Sequence, residues 1–247
     1  MSAELRVKVS LRKKSGFALD VAFDVPPGVT VLFGPSGSGK STTLSAIAGL
    51  VRPAEGRITL GDEVWLDSSA KVHVAVQQRR IAFVFQTLAL FPHMTALENV
   101  AYGMARSLDR PVRAARAMAM LERLRVPHLV DRKPHSFSGG EAQRVALARA
   151  LATSPRVILL DEPFSALDRD LRIELISDLR DTVRELDVPV LFVTHHRQEA
   201  RALGDRLILL EGGRVQRIGK VTELVTGGDR DASFDETPLD ADRMLDR

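Results

Sequence analysis

The first part of the chain alternates apolar and polar residues, a pattern typical of strands that bury one face. Residues 5–11 and 17–25 show this alternation on either side of a short polar turn, and they predict an antiparallel hairpin. Two more hairpins are predicted at 57–66 and 206–218, where a glycine-containing turn joins two such stretches.

Four other stretches are apolar at nearly every position, as expected of strands buried on both faces of a parallel sheet. They lie at residues 29–33, 81–85, 156–160 and 188–194. Helical patterns separate them, and residues 87–152 contain helical patterns without a convincing strand. Strands that alternate with helices indicate right-handed crossovers and a mainly parallel sheet, which binds ligands at the carboxyl ends of its strands.

The predicted fold is therefore α/β, with a mainly parallel central sheet, an antiparallel β subdomain and an inserted α-helical subdomain at about 87–153. We expect this domain to occupy residues 1–226. The remaining residues, 227–247, are polar, and from 229 onward they carry seven acidic against three basic side chains. That composition predicts a disordered acidic tail.

Composition narrows the class of protein. The 247 residues are 45% hydrophobic and 27% charged, which is ordinary for a globular protein, and the absence of cysteine excludes disulfides and thiolate metal sites. The net charge of +3 gives no reason to expect nucleic acid as a partner. No apolar run approaches the roughly 18 residues of a membrane span, and the first residues lack the apolar core of a signal peptide. We expect a cytoplasmic protein that reaches a membrane only through a partner.

A glycine-rich segment lies between the strand 29–33 and the helical residues 42–50 and matches the pattern G-x-x-x-x-G-K-[ST]. It consists of Gly34, Pro35, Ser36, Gly37, Ser38, Gly39, Lys40 and Ser41, with Thr42 next in the helix. Glycines and the helix N-terminus bring backbone N–H groups to one anion. Lys40 would reach the β- and γ-phosphates and Ser41 would ligate Mg²⁺, so the segment predicts a site for a nucleoside triphosphate.

Two acidic residues follow the apolar strand 156–160. Asp161 is predicted to hold Mg²⁺, and Glu162 to act as the general base that polarises the attacking water. A second signal is Ser138 with Gly139 and Gly140 at the start of a helix. Ser138 and Glu141 alone would form a capping box, but two glycines in the first helical turn favour a second phosphate-binding helix end.

With these motifs the chain resembles the ATP-binding subunit of ABC transporters, over residues 5–224. The resemblance implies the P-loop NTPase fold of ABC ATPases. The matching motifs are 34–41 for Walker A, 85–86 for the Q-loop, 137–141 for the signature, 157–162 for Walker B, 165–168 for the D-loop and 193–195 for the switch histidine.

The resemblance also implies roles for residues that are weak signals by themselves. Gln86 would contact Mg²⁺ or the attacking water, and His195 the γ-phosphate, although His196 is an alternative on the residues alone. Ser138, Gly139 and Gly140 would bind the ATP of the opposite subunit in a homodimer, and Asp168 would link the two sites. Phe17 is the candidate for stacking on adenine, with Leu11 or Arg12 as alternatives.

Residues 31–40, 79–86, 90–94 and 99–103 resemble the importer class for molybdate and related oxyanions, as do 17–28 and 64–68. This implies a peripheral protein at the cytoplasmic face of the inner membrane, with a membrane permease as partner and a periplasmic solute-binding protein as an indirect one. Such chains usually continue into an oxyanion-binding regulatory domain of about a hundred residues. The sequence printed here does not include one.

Several alternatives remain open at this point. The solute could instead be sulfate, thiosulfate, a polyamine or iron, or the chain could be a soluble ABC ATPase that is not part of a transporter. A binding protein without catalysis is a third class, against which Glu162 and His195 both argue. The apolar loop 87–94 is either buried in the helical subdomain or a groove for a helix of the permease.

Overall fold

The computed structural model describes residues 3–13, 16–105, 107–165 and 167–226. Eleven strands form one sheet in the order β6-β5-β4-β1-β2-β11-β10-β3-β9-β8-β7. The strands are β1 (Leu5–Arg12), β2 (Ala18–Val25), β3 (Gly28–Phe33), β4 (Glu55–Leu60), β5 (Glu63–Asp67), β6 (Val72–His73), β7 (Ile81–Val84), β8 (Val157–Asp161), β9 (Pro189–Thr194), β10 (Arg206–Glu211) and β11 (Arg214–Lys220).

Seven α-helices occur in the described residues. They are α1 (Lys40–Ala48), α2 (Ala96–Tyr102), α3 (Arg110–Arg123), α4 (Gly139–Leu151), α5 (Arg169–Arg184), α6 (Arg197–Leu203) and α7 (Val221–Thr226). Helices α2, α3 and α4 occupy the chain between β7 and β8, where no strand is found among the described residues. In the described part of the chain, no helix combines the length and the apolarity needed to cross a membrane.

The sheet has an antiparallel part and a parallel part. Strands β4, β1 and β2 pair antiparallel, whereas β10, β3, β9, β8 and β7 pair parallel. The hairpin of β10 and β11 joins the two parts, since β11 pairs with β2 and β10 with β3. The predicted α/β class, with its antiparallel β part and inserted helices, is confirmed. The domain limits, including 87–153 for the helical subdomain, stay predictions.

Alternate residues of the parallel strands enter two separate cores, as the two-residue period of a strand requires. On β8, Ile158 and Leu160 pack with residues of α2 to α6, whereas Val157 and Leu159 pack with α1 and the inner faces of β1, β2 and β4. Helix α1 therefore lies between the parallel and antiparallel parts of the molecule. This packing fixes the helix that begins with Lys40.

The sequence-based limits of most elements agree with the structure to within one or two residues. The strand expected at 81–85 ends at Val84, and the helix expected at 42–50 occupies Lys40–Ala48. The short elements β6, α2, α6 and α7 have too few residues for a periodic pattern, and the sequence did not predict them individually. The predicted disordered tail, 227–247, lies outside the described residues.

Candidate active site

The glycine-rich loop follows β3 at the carboxyl end of the parallel strands and leads into α1. Gly37 and Gly39 have φ angles of 79° and 106°, in the left-handed region that favours glycine. A side chain on Gly34 would collide with the carbonyl oxygen of Leu210 in β10. The Ser38 hydroxyl is buried and has no hydrogen-bond partner among the described residues. The loop thus packs tightly on the sheet and keeps a buried polar group free for a ligand.

Lys40 is the first residue of α1, and its side chain is only 5% exposed. Its Nζ donates to the carbonyl oxygens of Gly34 at 2.8 Å and Pro35 at 3.0 Å, and lies 3.8 Å from Glu162 Oε1. Burial lowers the pKa of Lys40, while Glu162 and Asp161 act in the opposite direction. The loop therefore wraps around its own lysine, which presents a concentrated positive charge to the site.

Asp161 is the last residue of β8, and the Ser41 hydroxyl donates to its Oδ1 at 3.0 Å. Burial raises the pKa of Asp161, and the hydrogen bond from Ser41 opposes that change. These oxygen donors suit Mg²⁺, which prefers few protein ligands and keeps several from phosphate and water. Within the described ranges, no group of three or more His, Asp or Glu side chains could hold a metal ion by itself.

Glu162 follows β8 with φ at 44°, a left-handed conformation that is costly for a residue with a side chain. Its Oε1 lies 3.3 Å from His195 Nδ1 as well as 3.8 Å from Lys40 Nζ. His195 follows β9 and its ring lies 4.1 Å from that of His196, centroid to centroid. Burial lowers the pKa of His196. Of the two histidines that the residues alone left open, His195 is the one in contact with Glu162.

Three other predicted site residues lie near this group or near the loop. Gln86 follows β7, and its Nε2 lies 3.5 Å from Ser165 Oγ in the segment after Glu162. Asp168 is the N-cap of α5, where its Oδ1 accepts the N–H of Leu171 at 3.0 Å. The half-buried Phe17 ring packs so closely against Gly39 that a Cβ on that glycine would lie 2.9 Å from the ring. Its role in stacking on adenine stays a prediction.

The second predicted helix end is the first turn of α4. Ser138 and Glu141 form a capping box, with Glu141 Oε2 accepting the Ser138 N–H at 2.8 Å and Ser138 Oγ accepting the Glu141 N–H at 3.3 Å. Gly140 is buried, and a Cβ there would collide with Leu171 of α5. Gly139 is exposed, and a Cβ there would meet nothing within 4 Å. Packing therefore explains Gly140, whereas only Gly139 lacks a structural reason to be glycine.

A buried ionic group beside the histidines was missed by sequence reasoning. The Thr194 hydroxyl donates to Glu199 Oε2 at 2.5 Å, and Arg172 Nη1 of α5 lies 3.5 Å from Glu199 Oε1. Burial raises the pKa of Glu199. The group ties α5, which Asp168 caps, to the segment that carries His195. A glutamate in a short polar helix looks solvated in sequence, so no local signal could have identified it.

Sequence reasoning also missed Arg79, because a charged residue looks solvated in sequence even when the fold buries it. Its guanidinium is fully buried and donates to the carbonyl oxygen of Ile47 at 2.6 Å, at the carboxyl end of α1. Its Cζ also lies over the Trp65 ring, 5.9 Å from the ring centroid. A cation at the negative end of a helix is stabilising. Arg79 therefore fixes the end of α1 opposite to Lys40.

Taken together, a lysine-bearing glycine loop between β3 and α1 and an acidic pair at the end of β8 define a P-loop nucleotide-binding protein. Comparison with known proteins identifies the family. The family model described as ABC transporter matches residues 19–165, more than half of the sequence. The chain belongs to the ABC transporter family.

Among curated proteins, the chain is 47% identical to the molybdenum import ATP-binding protein ModC of Methylococcus capsulatus over 232 residues, which are 94% of this chain and 63% of that protein. It is 44% identical to ModC 1 of Azotobacter vinelandii over 90% of this chain and 62% of that protein. The chain thus spans less than two thirds of the length of these relatives.

Two solved structures of one ABC transporter cassette, MJ0796, share the fold. The dimeric bacterial cassette aligns with a TM-score of 0.75 and 34% identity, covering 88% of this chain and 98% of that one. A dimeric post-hydrolysis state of the same cassette, bound to ADP and Pi, aligns with a TM-score of 0.72 at the same identity. Both confirm the predicted cassette fold.

Proposed function

We propose that this chain is the ATP-hydrolysing subunit of an ABC importer that takes up molybdate or a related oxyanion. The observation that carries the hydrolytic part is the convergence of three side chains from three separate elements. Lys40 Nζ and His195 Nδ1 lie 3.8 and 3.3 Å from the same Oε1 of Glu162, at the carboxyl ends of β3, β8 and β9. A base between a phosphate-binding cation and a histidine is the arrangement that phosphoryl transfer to water needs.

Each side chain has a distinct part in that reaction. Lys40 and the N–H groups of the loop bind the β- and γ-phosphates of ATP. Glu162 Oε1 accepts a proton from the water whose oxygen attacks the γ-phosphorus, and the bond to the ADP oxygen breaks. His195 donates to a γ-phosphate oxygen, and Gln86 contacts the attacking water or Mg²⁺.

Ser41 and Asp161 would hold Mg²⁺, and the ion would neutralise part of the charge on the triphosphate. The hydrogen bond between the Ser41 hydroxyl and Asp161 keeps the two oxygen donors together.

The complete site is formed by two copies of the chain. Ser138, Gly139 and Gly140 of one copy bind the ATP held by the loop of the other, and Asp168 lies between the two sites. One support is Gly139, an exposed residue at a helix N-terminus that packing does not require to be glycine. The other is the similar cassette, which is described as dimeric.

Import requires a permease, which we place beside the loop 87–94. The side chains of His93, Met94, Leu97 and Tyr102 line an open cavity of about 460 Å³ there, and Tyr102 is 57% exposed. The lining also includes Glu98, Arg110 and Arg113, and a groove with both apolar and charged side chains suits an amphipathic helix of a membrane partner. The subunit would act at the cytoplasmic face of the inner membrane, with a periplasmic solute-binding protein as an indirect partner. The names of the similar proteins favour molybdate as the solute.

Reconstitution into vesicles tests the proposal. The chain is combined with its own permease and solute-binding protein, and ATP hydrolysis is measured with molybdate, tungstate, sulfate, a polyamine or iron. Molybdate and tungstate should raise the rate, and Lys40→Ala should abolish it. Stimulation by sulfate, a polyamine or iron instead would identify the alternative solute, and a lack of Mg²⁺-dependent hydrolysis under all conditions would refute the ATPase.

A further inference from the structure

The loop after Gln86 contains two consecutive residues with side chains in the left-handed region. Leu88 has φ at 57° and Ala89 at 46°. Left-handed residues other than glycine are uncommon, and they persist where surrounding contacts fix the backbone. Neither residue belongs to a regular helix or strand. Within the loop, the N–H of Leu88 donates to the carbonyl oxygen of Phe85 at 3.0 Å and that of Ala89 to the carbonyl oxygen of Thr87 at 2.6 Å, and a further contact comes from outside it.

The outside contact is Arg149, in the last turn of α4. Its Nη1 donates to the carbonyl oxygen of Ala89 at 2.7 Å and its Nη2 to that of Leu88 at 2.8 Å. The guanidinium also lies over the Phe91 ring, 5.4 Å from its centroid. One planar group thus contacts both left-handed residues and the aromatic residue that follows them. A lysine can bind two adjacent carbonyl groups, as Lys40 does, but it lacks the planar guanidinium that here also lies over the Phe91 ring.

A second anchor fixes the other side of the same loop. The Asn99 side chain accepts the N–H of Phe91 at 2.8 Å and donates to its carbonyl oxygen at 3.1 Å. Asn99 is fully buried on α2. The backbone from Leu88 to Phe91 is therefore held by α4 on one side and by α2 on the other. Gln86, two residues before Leu88, is exposed and has a single long contact to Ser165.

We propose that Arg149 is a positioning residue for Gln86, which it places by holding Leu88 and Ala89 in their left-handed conformation. The proposal rests on the proposed function, since Gln86 has its role only in ATP hydrolysis. Helix α4 begins at Gly139, the residue we place against the ATP of the partner, and carries Arg149 in its last turn. The same helix therefore contacts the second nucleotide at one end and fixes the glutamine loop of its own site at the other.

The primary test compares Arg149→Ala and Arg149→Lys with the wild-type chain in steady-state ATP hydrolysis. Arg149→Ala should lower kcat at least about tenfold, and Arg149→Lys, which keeps the charge but loses the planar contact with Phe91, should lower it less. Both should leave KM for ATP within about twofold, because the lysine loop that binds the phosphates is untouched. The matched control is Arg80→Ala. Arg80 is an exposed arginine that donates to the carbonyl oxygen of Ser154 at 3.3 Å, outside the glutamine loop, so its kcat should not change.

A rescue variant separates positioning from simple support of the fold. Glycine adopts the left-handed conformation without steric cost. Ala89→Gly added to Arg149→Ala should therefore restore part of kcat, although it removes one more methyl group. If Arg149 only supported the fold, the added glycine would leave the kcat of Arg149→Ala unchanged. A wild-type kcat for Arg149→Ala, or the absence of rescue, would overturn the proposal.

Hydrogen exchange distinguishes failure of this proposal from failure of the proposed function, because it requires no turnover. In the full chain, Arg149→Ala should speed exchange of the amides of residues 86–91 at least about tenfold, with the amides of α1 unchanged. If the wild-type chain did not hydrolyse ATP, the proposed function would fail. Unchanged exchange in the variant would overturn the positioning of the loop whatever the hydrolysis assay shows.

Discussion

Replacing Gly139 by alanine should stabilise the chain and at the same time prevent its ATP-dependent dimerisation. Gly139 is the first residue of α4, is exposed, and would place its new Cβ in open space. Alanine is the better helix former, so we expect a gain of about 0.5 kcal/mol in the free energy of unfolding, or about 1 to 2 °C in Tm.

The added methyl group should nevertheless interfere with the partner's nucleotide. We place the N–H groups of Gly139 and its neighbours against the triphosphate of the other copy, at a distance that leaves no room for a side chain. ATP-dependent association should weaken at least about tenfold, which corresponds to about 1.4 kcal/mol. Gly140→Ala is the contrasting variant. Its Cβ collides with Leu171, so it should cost about 1 to 3 kcal/mol of stability through overpacking.

Both variants are best measured in a Glu162→Gln background, which should retain bound ATP. Urea unfolding gives the stability, and sedimentation with and without ATP gives the fraction of dimer. The reasoning predicts opposite changes for Gly139→Ala, a higher unfolding midpoint and a loss of dimer. If Gly139→Ala were stable and formed ATP-dependent dimers as its parent does, no phosphate could lie at this helix end.

Three further predictions concern single side chains. Glu162→Gln should lower ATP turnover at least about 100-fold while leaving ATP-dependent dimers in sedimentation, and turnover near the wild-type rate would exclude it as the base. Asp178→Ala removes the buried partner of Arg144, whose side chain is 7% exposed, and should cost about 3 kcal/mol in urea unfolding; a cost under about 1 kcal/mol would contradict this. Hydrogen bonds from the N–H of Ser138 and from His128 lower the pKa of Glu141 from 4.5 to about 2. Its contribution to stability is therefore complete above pH 4.5 and disappears as the pH falls toward 2. The stability difference between wild type and Glu141→Gln should shrink over that range, and a constant difference would count against it.

Local patterns in the sequence predicted the parts of the fold that depend on local physics. Alternation along 5–11 and 17–25 predicted the first hairpin, because each strand buries one face regardless of its neighbours. Glycine, lysine and serine between a strand and a helix predicted the loop from its own backbone requirements. The order of the strands in the sheet depends on contacts between distant segments, and the periodic patterns alone could not supply it.

The parts of the candidate site that the sequence did not reveal are contacts between distant residues. Gly140 is glycine because Leu171 of α5 packs on it, and Arg149 is needed where Leu88 and Ala89 turn left-handed. Glu199 is buried because β9 and α5 enclose it. Each of these contacts depends on tertiary packing, which brings together residues about 30 to 60 positions apart in the sequence.

The central claim is that ATP lies between the lysine loop of one copy and the Ser138–Gly140 turn of another. Mixing two defective chains, both in the Glu162→Gln background, tests it most directly. One chain carries Lys40→Ala and the other Ser138→Arg, and each alone should remain monomeric with ATP. Mixed, they can form a dimer with one intact site, built from the unchanged loop of the second chain and the unchanged helix end of the first.

Sedimentation with labelled ATP measures the result. The account predicts that the mixture forms dimers that carry ATP, whereas neither chain does so by itself. Dimers with bound ATP from the Ser138→Arg chain alone, or a mixture that stays monomeric while the Glu162→Gln parent dimerises, would show that each copy holds its nucleotide without the other.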